Sequence, residues 1–318
     1  MSPIGAKRAL LQAFDAAAGH DVEVHAADSD LRAPALIGRS QVLQTPAWAS
    51  PDWADRFLGL CRDSEISLVV TVADRELNAF GSVVSDLLAL GVRTLLPLAH
   101  GALDICGNKR HFVNWCTQRG YSTPRTIPTG AASSAQANSF EFPLFARPAI
   151  GQSSVGTWVV QTPEMLTALE PMVDKLIIQE MVTDPEYSID VLSSFEGEAL
   201  QAVVRRRLVV RGGESSTTQV VHNPELEALA LNVADGLGLV GHSVVQAFWS
   251  EQNGPHLIEV NPRFGGASTL SIRAGLDSPR RIIGMLRGDP SAYKNGPIQI
   301  GLTMHRVAED IFVEPAAR

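Results

Sequence analysis

The run Leu257-Ile258-Glu259-Val260-Asn261-Pro262-Arg263-Phe264-Gly265-Gly266 alternates apolar and polar residues and then breaks on a proline. On a strand, residues i and i+2 share a face. Glu259 and Asn261 therefore project together, while Ile258 and Val260 turn to the core. Two hard oxygen donors on one face at a strand end suit Mg²⁺, which takes few protein ligands and completes its shell with substrate phosphates. Pro262 stops the strand, Arg263 follows within reach of a phosphate, and Gly265-Gly266 lets the backbone approach a ligand closely. Taken alone, the run also reads as a solvent-facing strand with a Pro-Gly turn. Gln246 lies on the preceding predicted strand, Ser243 to Trp249. If that strand and His256 to Val260 form a hairpin, its amide oxygen offers a third donor; alone, it reads as a plain hydrogen-bonding side chain.

Further upstream, Leu144 to Arg147 reads as a strand that enters a Gly/Ser loop, Gly151-Gln152-Ser153-Ser154-Val155-Gly156, with Trp158 to Gln161 as the returning strand. Free N–H groups in such a loop can close over phosphates, although a simple hairpin turn has the same composition. A guanidinium at the end of an apolar strand, Arg147, needs an anionic partner. Ile178 to Val182 reads as a strand leading into a bend. Beyond it Glu186, Ser188 and Asp190 share one strand face, placed to meet ribose hydroxyls or simply solvent. Leu176 to Gln179, Tyr187 to Ser193 and Ala199 to Leu208 predict an antiparallel sheet. Asn223, Pro224, Glu225 and Glu227 mark the start of a helix whose apolar stripe includes Leu226, Ala230, Val233 and Leu237. In Arg205-Arg206-Arg207, Arg205 and Arg207 share one face and Arg206 takes the other; Arg206 and Arg207 both stay open as groups facing a substrate.

The first hundred residues alternate helix and strand patterns. Helices are predicted at Lys7 to Ala18, Asp52 to Arg62 and Glu76 to Leu90, and strands at Val22 to Ala26, Leu68 to Val72 and Arg93 to Leu96. Such alternation predicts a parallel sheet with helices on its faces. It should open on a strand, yet Ser2-Pro3-Ile4-Gly5 follows Met1 almost at once, so the first strand is expected to be either very short or cut off by the start. Thr129 to Ser139 reads as a loop.

Composition sets the outer limits. The chain has 318 residues, 45% hydrophobic and 19% charged, with net charge -8. That balance supports a globular core and excludes nucleic acid and anionic membrane as main partners. Three cysteines, Cys61, Cys106 and Cys116, without CxxC spacing give neither a disulfide framework nor a zinc site and read as buried thiols. The start, Met1 to Phe14, lacks a signal-peptide h-region, and no apolar run approaches the ~18 residues of a membrane span. A cytoplasmic protein is expected, and a homodimer stays open. No Walker A motif occurs. Gly236, Gly238 and Gly241 fit G-x-G-x-x-G, but the helix precedes the glycines and the strand follows, the reverse of a dinucleotide site.

Each signal is weak alone; their order is specific. The segments Asn108-Lys109, Pro143 to Gly156, Gln179 to Asp190, Gln246 and Glu259 to Gly266 resemble the ATP-grasp superfamily, most closely the carbamoyl phosphate synthetase large chain and its single-unit relatives. Val70 to Leu77 resembles the pre-ATP-grasp domain. The resemblance implies an α/β (α+β) chain: a Rossmann-like N-terminal domain over 1–100, a small ATP-grasp lobe over 101–182 and a C-terminal lobe with the metal site over 183–318. It also implies roles. Lys109 and Arg147 would bind ATP phosphates beneath a lid containing Ser153, Ser154 and Gly156. Glu180 and the backbone at Val182 would hold adenine, and Glu186 the ribose. Gln246, Glu259 and Asn261 would hold Mg²⁺ (or Mn²⁺), and Arg263 would act on the transferring phosphoryl group. Many members have Lys at the position of Arg147 and an acid at that of Gln246; the synthetase-like branch has this Arg and this Gln. The implied activity is ATP-dependent joining of a small-molecule carboxylate to an amine through an acyl phosphate. The alternatives are a kinase that stops at a phosphorylated product and a nucleotide-binding sensor without turnover. The chain carries no glutaminase portion, so carbamoyl phosphate synthesis itself is not expected.

Overall fold

The computed structural model describes residues 1–128, 139–151 and 155–313. The N-terminal part runs α1 (Arg8–Ala18), β1 (Ala26–Asp28), β2 (Val42–Gln44), α2 (Trp53–Asp63), β3 (Leu68–Val69), α3 (Asp74–Ser82), α4 (Val84–Ala89) and β4 (Arg93–Thr94). β1 pairs with β2 and β3 with β4, both in parallel. Ser2 makes a further parallel bridge to Thr71, so the opening strand is a single bridge long. The helices bury the faces that their spacing predicts: Leu10, Leu11, Phe14 and Ala18 on α1, and Trp53, Phe57 and Cys61 on α2. One expectation fails locally. The single helix expected over Glu76 to Leu90 starts earlier, at Asp74, and breaks at Val83, whose φ of -114° leaves the helical range. The break aims Val83 and Leu87 into one apolar cluster with Phe80 and Trp53.

Next come α5 (Ala102–Gly107) and α6 (Lys109–Gln118), then β5 (Leu144–Pro148), β6 (Trp158–Val160), α7 (Pro163–Ala168) and β7 (Leu176–Glu180). The three strands form an antiparallel sheet in the order β6-β5-β7, with Leu144, Ala146, Val160 and Ile178 beneath it.

The last part holds β8 (Glu186–Ser193), β9 (Ala199–Arg211), β10 (Glu214–Val221), α8 (Pro224–Leu237), β11 (Gly241–Ser250), β12 (Gly254–Asn261), α9 (Ser268–Ser271), α10 (Ser278–Leu286) and β13 (Thr303–His305). Its six strands are antiparallel in the order β12-β11-β8-β9-β10-β13. One face packs on α8 through Ile189, Val191, Val204 and Val245. The other face packs on α10, Phe264 and the N-terminal α1 through Leu192, Val203 and Val220. Phe14 of α1 meets Phe264 edge-on, with ring centroids 5.6 Å apart. The N-terminal part therefore shares a core with the large sheet, which fixes it over the Glu259–Gly266 segment.

α8 ends at Gly238, at φ 57°, which accounts for the reversed glycine motif as a helix cap. At its start Asn223 Oδ1 accepts from the Leu226 N–H at 3.0 Å. Asn223→Ala is expected to cost about 1 kcal/mol, read as a small drop in the denaturant midpoint at unchanged m.

Candidate active site

β11 and β12 form the hairpin that the third donor requires. Gln246 stands opposite Glu259 in the antiparallel register, and Ser188 stands opposite Gln246 on its other side. Asn261 lies two residues beyond Glu259, and its Nδ2 donates to Glu259 Oε1 at 3.4 Å. The small lobe brings two cations to the same carboxylate. Lys109 Nζ, at the first turn of α6, lies 3.5 Å from Glu259 Oε2, and Arg147 Nη1, at the end of β5, lies 3.7 Å from it. Lys109 also donates to Gly151 O at 2.8 Å. Arg147 is aimed by Gln179, whose Oε1 accepts from Nη2 at 3.0 Å, while Gln179 Nε2 donates to Thr126 at 2.9 Å. Burial would push the Glu259 carboxyl up; Lys109 and Arg147 outweigh it and hold the carboxyl below the usual range. Glu259 is thus ionised at neutral pH. Burial, in turn, pulls Lys109 and Arg147 down from their ordinary values.

Two adjoining chambers open around this cluster. The larger, about 620 Å³, lies between the N-terminal part and the large sheet and is lined by Lys7, Asp74, Glu214, Arg263 and Gly266 among others. The smaller, about 190 Å³, lies under β5 and is lined by Phe145, Arg147, Glu186, Phe248 and Ile258. Lys109, Gly151, Arg207, Gln246 and Glu259 border both. A separate 340 Å³ cleft beside α2 and α10 contains none of the candidate residues.

Glu186 reaches the smaller chamber but is ion-paired with Arg207. Burial, helped by the nearby Glu259, pushes its carboxyl up, against the pull of Arg207. Arg207 is fixed further by Ser215 Oγ at 3.1 Å and Gly213 O at 2.7 Å. Arg206 does not enter either chamber. Its neighbours Arg205 and Arg207 take the inward face of β9, so strand alternation turns Arg206 to solvent, and it drops out as a catalytic candidate. Glu180 and Val182 line neither chamber. Glu180 Oε1 accepts from the Arg125 N–H at 2.8 Å, a tie within the small lobe. Ser153 and Ser154 lie outside the described residues. Gly156, at φ 72°, has Pro148 Cγ only 3.2 Å from where a Cβ would stand.

Asp190 departs furthest from its expected place. It does not face a nucleotide; it is fully buried and accepts from Arg205, from His242 Nε2 at 2.8 Å, from Ser268 Oγ at 2.5 Å and from Ser271 Oγ at 2.6 Å. Two groups were not singled out from sequence. Asp74, which opens α3 after an apolar strand run, makes a bidentate pair with Arg263. Lys7 lines the larger chamber from the start of α1. Gly266 has Glu214 Oε2 2.9 Å from where a Cβ would stand, so a larger residue there would have to displace the end of that side chain. Of the cysteines, Cys61 and Cys116 are buried and Cys106 is partly buried; all are free. Burial pushes Cys61 up to about 11, and Cys106 and Cys116 up to about 12, so none is a ready nucleophile.

Among the described residues there is no cluster of three His, Cys, Asp or Glu groups. The Gln246, Glu259 and Asn261 set offers one carboxylate and two amide oxygens. That donor set is hard and sparse, which fits Mg²⁺ shared with a polyphosphate and does not fit zinc. No described helix is long and apolar enough to cross a membrane.

The family model for ATP-grasp in the biosynthetic pathway with Ter operon matches residues 172–309. These residues carry an ATP-grasp domain. Residues 1–95 match the PylC-like N-terminal domain. The chain is 29% identical over 154 residues to a D-alanine–D-alanine ligase of Pediococcus pentosaceus, a match that spans 42% of this chain and 42% of that relative. Its fold is similar to pyruvate carboxylase of Rhizobium etli (TM-score 0.72, 17% identity, 94% of this chain and 30% of that one). It is also similar to the biotin carboxylase domain of Hydrogenobacter thermophilus 2-oxoglutarate carboxylase, solved with MgADP and bicarbonate (TM-score 0.74, 13% identity, 94% of this chain and 71% of that one). The chain thus spans less than half the length of the ligase and of the pyruvate carboxylase that it matches.

Proposed function

We propose that this protein is an ATP- and Mg²⁺-dependent carboxylate–amine ligase that forms an amide and releases ADP and phosphate. The observation that carries the reading is the meeting of Gln246, Glu259 and Asn261 with Lys109 and Arg147 on the wall between two chambers. One chamber then serves the nucleotide and the other the reacting substrates. The proposed division of the chain is 1–100, 101–182 and 183–318, with the site between the last two parts and capped by the first.

Mg²⁺, held by Gln246, Glu259 and Asn261, supplies charge neutralisation on the phosphate oxygens when bound. Lys109 and Arg147 approach the phosphates from the small lobe. Positioning and charge neutralisation are the main catalytic terms in phosphoryl transfer. A carboxylate oxygen attacks the γ-phosphorus and ADP leaves. The amine nitrogen then attacks the acyl carbon, the C–O bond to phosphate breaks with its electron pair, and the amine gives up a proton. Arg263, carried over the larger chamber by the Pro262 turn, is the group that meets the phosphoryl oxygens there. Asp74 is its positioning residue, since the bidentate pair fixes the guanidinium plane.

The reading is tested by isotope transfer. With ¹⁸O in the substrate carboxylate, one label is expected in the released phosphate, with ADP as the nucleotide product. A stable phosphorylated product without free phosphate would replace the ligase with a kinase. AMP with label in it would sink the acyl-phosphate route altogether.

A further inference from the structure

Among the described residues, the cations that line the larger chamber are Lys7, Lys109, Arg205, Arg207 and Arg263. Lys109 pairs with Glu259, Arg205 with Asp190, Arg207 with Glu186 and Arg263 with Asp74. Lys7 is the exception: it makes no ion pair within the described residues. Its backbone is well anchored, since its N–H donates to Ile4 O at 3.0 Å and its carbonyl accepts from the Leu11 N–H at 3.1 Å. Its side chain is partly buried and lines the chamber, so its ammonium stands beside the cavity without a salt-bridged counter-charge. Burial, and then Arg263, push it below its ordinary value.

The surrounding charges sharpen the point. The groups that act on Lys7 are Arg263, Glu214, Asp74 and Arg306. Both carboxylates are already engaged, Asp74 by Arg263 and Glu214 by Arg306. Lys7, Arg263 and Arg306 set against Asp74 and Glu214 leave one positive charge, and it belongs to the group without a partner. The chamber has room for a small molecule, because about 300–1,000 Å³ is usual for such sites and this one has 620 Å³. Trp48, Leu77 and Leu103 supply apolar wall. Glu259 and Arg263 border the same chamber, so a ligand held at Lys7 has its other end toward the reacting groups.

We propose that the amine substrate of this site is an amino acid, and that Lys7 binds its unreacted carboxylate while the amine points toward Arg263 and Glu259. This inference rests on the ligase reading and adds the substrate class to it.

The test is ADP release with Mg-ATP and the common amino acids, singly and in pairs, together with the α-carboxamide of every amine substrate that works. Replacing the carboxylate by its amide is expected to raise KM roughly tenfold to a hundredfold, the loss of one charge-assisted hydrogen bond, with kcat little changed. Lys7→Met should raise KM for the acid by the same factor and erase the acid-over-amide preference, and Lys7→Arg should retain that preference. Both variants should still gain melting temperature from Mg-ATP. Equal use of acid and amide by the wild type overturns the inference, as does a Lys7→Met variant that keeps the preference. If Mg-ATP stabilises the wild type but no amino acid elicits ADP, the inference falls and the nucleotide reading stands. If Mg-ATP leaves the melting temperature unmoved, the nucleotide reading falls and takes the inference with it.

Discussion

Glu259→Gln and Asn261→Ala are expected to fold and to lose turnover by about 10²–10³-fold each. Glu259 is the one carboxylate among the three metal candidates, and it lies between Lys109 and Arg147. Glutamine keeps its size and still accepts from Asn261, but it leaves two cations facing the metal position with no negative charge between them. Mg²⁺ is then repelled where it was attracted. Asn261→Ala removes an oxygen donor and also the Oδ1 that accepts from Arg263 Nη2 at 3.2 Å, so it loosens the guanidinium proposed to act on the phosphoryl group as well. Neither side chain belongs to an apolar cluster, which is why the fold should survive. ADP release at saturating Mg-ATP measures the loss, and the melting curve without nucleotide checks the fold. The wild type should gain melting temperature from millimolar Mg-ATP, as any ligand selective for the native state requires. Glu259→Gln should gain less, and raising Mg²⁺ should recover part of the gain. Near wild-type turnover in either folded variant would remove the metal assignment.

Those residues were legible because a strand encodes geometry in its spacing. Glu259 and Asn261 at i and i+2 must share a face, and an antiparallel hairpin brings Gln246 opposite them. The same rule was sound for Arg205, Arg206 and Arg207, but it gives two faces without saying which one is inward. The answer depends on where the N-terminal part packs, through Phe14 against Phe264, and that contact leaves no local trace. Asp190 illustrates the converse. It shares a strand face with Glu186 and Ser188, which made a ligand-facing role natural. What turns it into an interior hub is the return of the chain through Ser268 and Ser271, about eighty residues later. Asp74 and Lys7 escaped for the same reason. Each reads locally as a helix-start residue, and only tertiary packing sets them across from Arg263. The α/β order of the first hundred residues was readable from periodicity, whereas the helix break at Val83 answers to packing against Trp53 and Phe80.

Asp190→Asn is expected to cost about 3–5 kcal/mol, the cost of leaving a buried charge without its partner. Arg205 and Asp190 are both essentially inaccessible, with side-chain exposures of 2% and 0%. Arg205 Nη1 is already buried without a hydrogen-bond partner, so there is no second acceptor to take the charge. Asparagine also presents an NH₂ where the carboxylate accepts from Ser268, Ser271 and His242. The damage should reach the active site. Ser268 Oγ accepts from the Gly265 N–H at 2.8 Å, and His242 stacks on Phe264 with centroids 4.2 Å apart. Both contacts hold the turn that carries Arg263. The pH dependence has a definite sign. Burial alone would raise the Asp190 carboxyl; the charge of Arg205 and the hydrogen bond from His242 outweigh it and hold the carboxyl far below the usual range. A depressed native value contributes stability that is fully present above the unfolded value, about 3.9, and is lost as pH falls below it. The wild type's advantage over Asp190→Asn should therefore be constant from pH 5 to pH 8. By pH 3 it should shrink by about 1 kcal/mol. Asp190→Leu combined with Arg205→Met should recover only part of the loss, because an apolar pair leaves no orphaned charge but still strips Ser268, Ser271 and His242 of their acceptor. Denaturant melts of the three proteins at pH 7 and pH 3 measure all of this. A single Asp190→Asn variant as stable as the wild type at pH 7 would mean that the buried pair is not what holds the Arg263 turn in place.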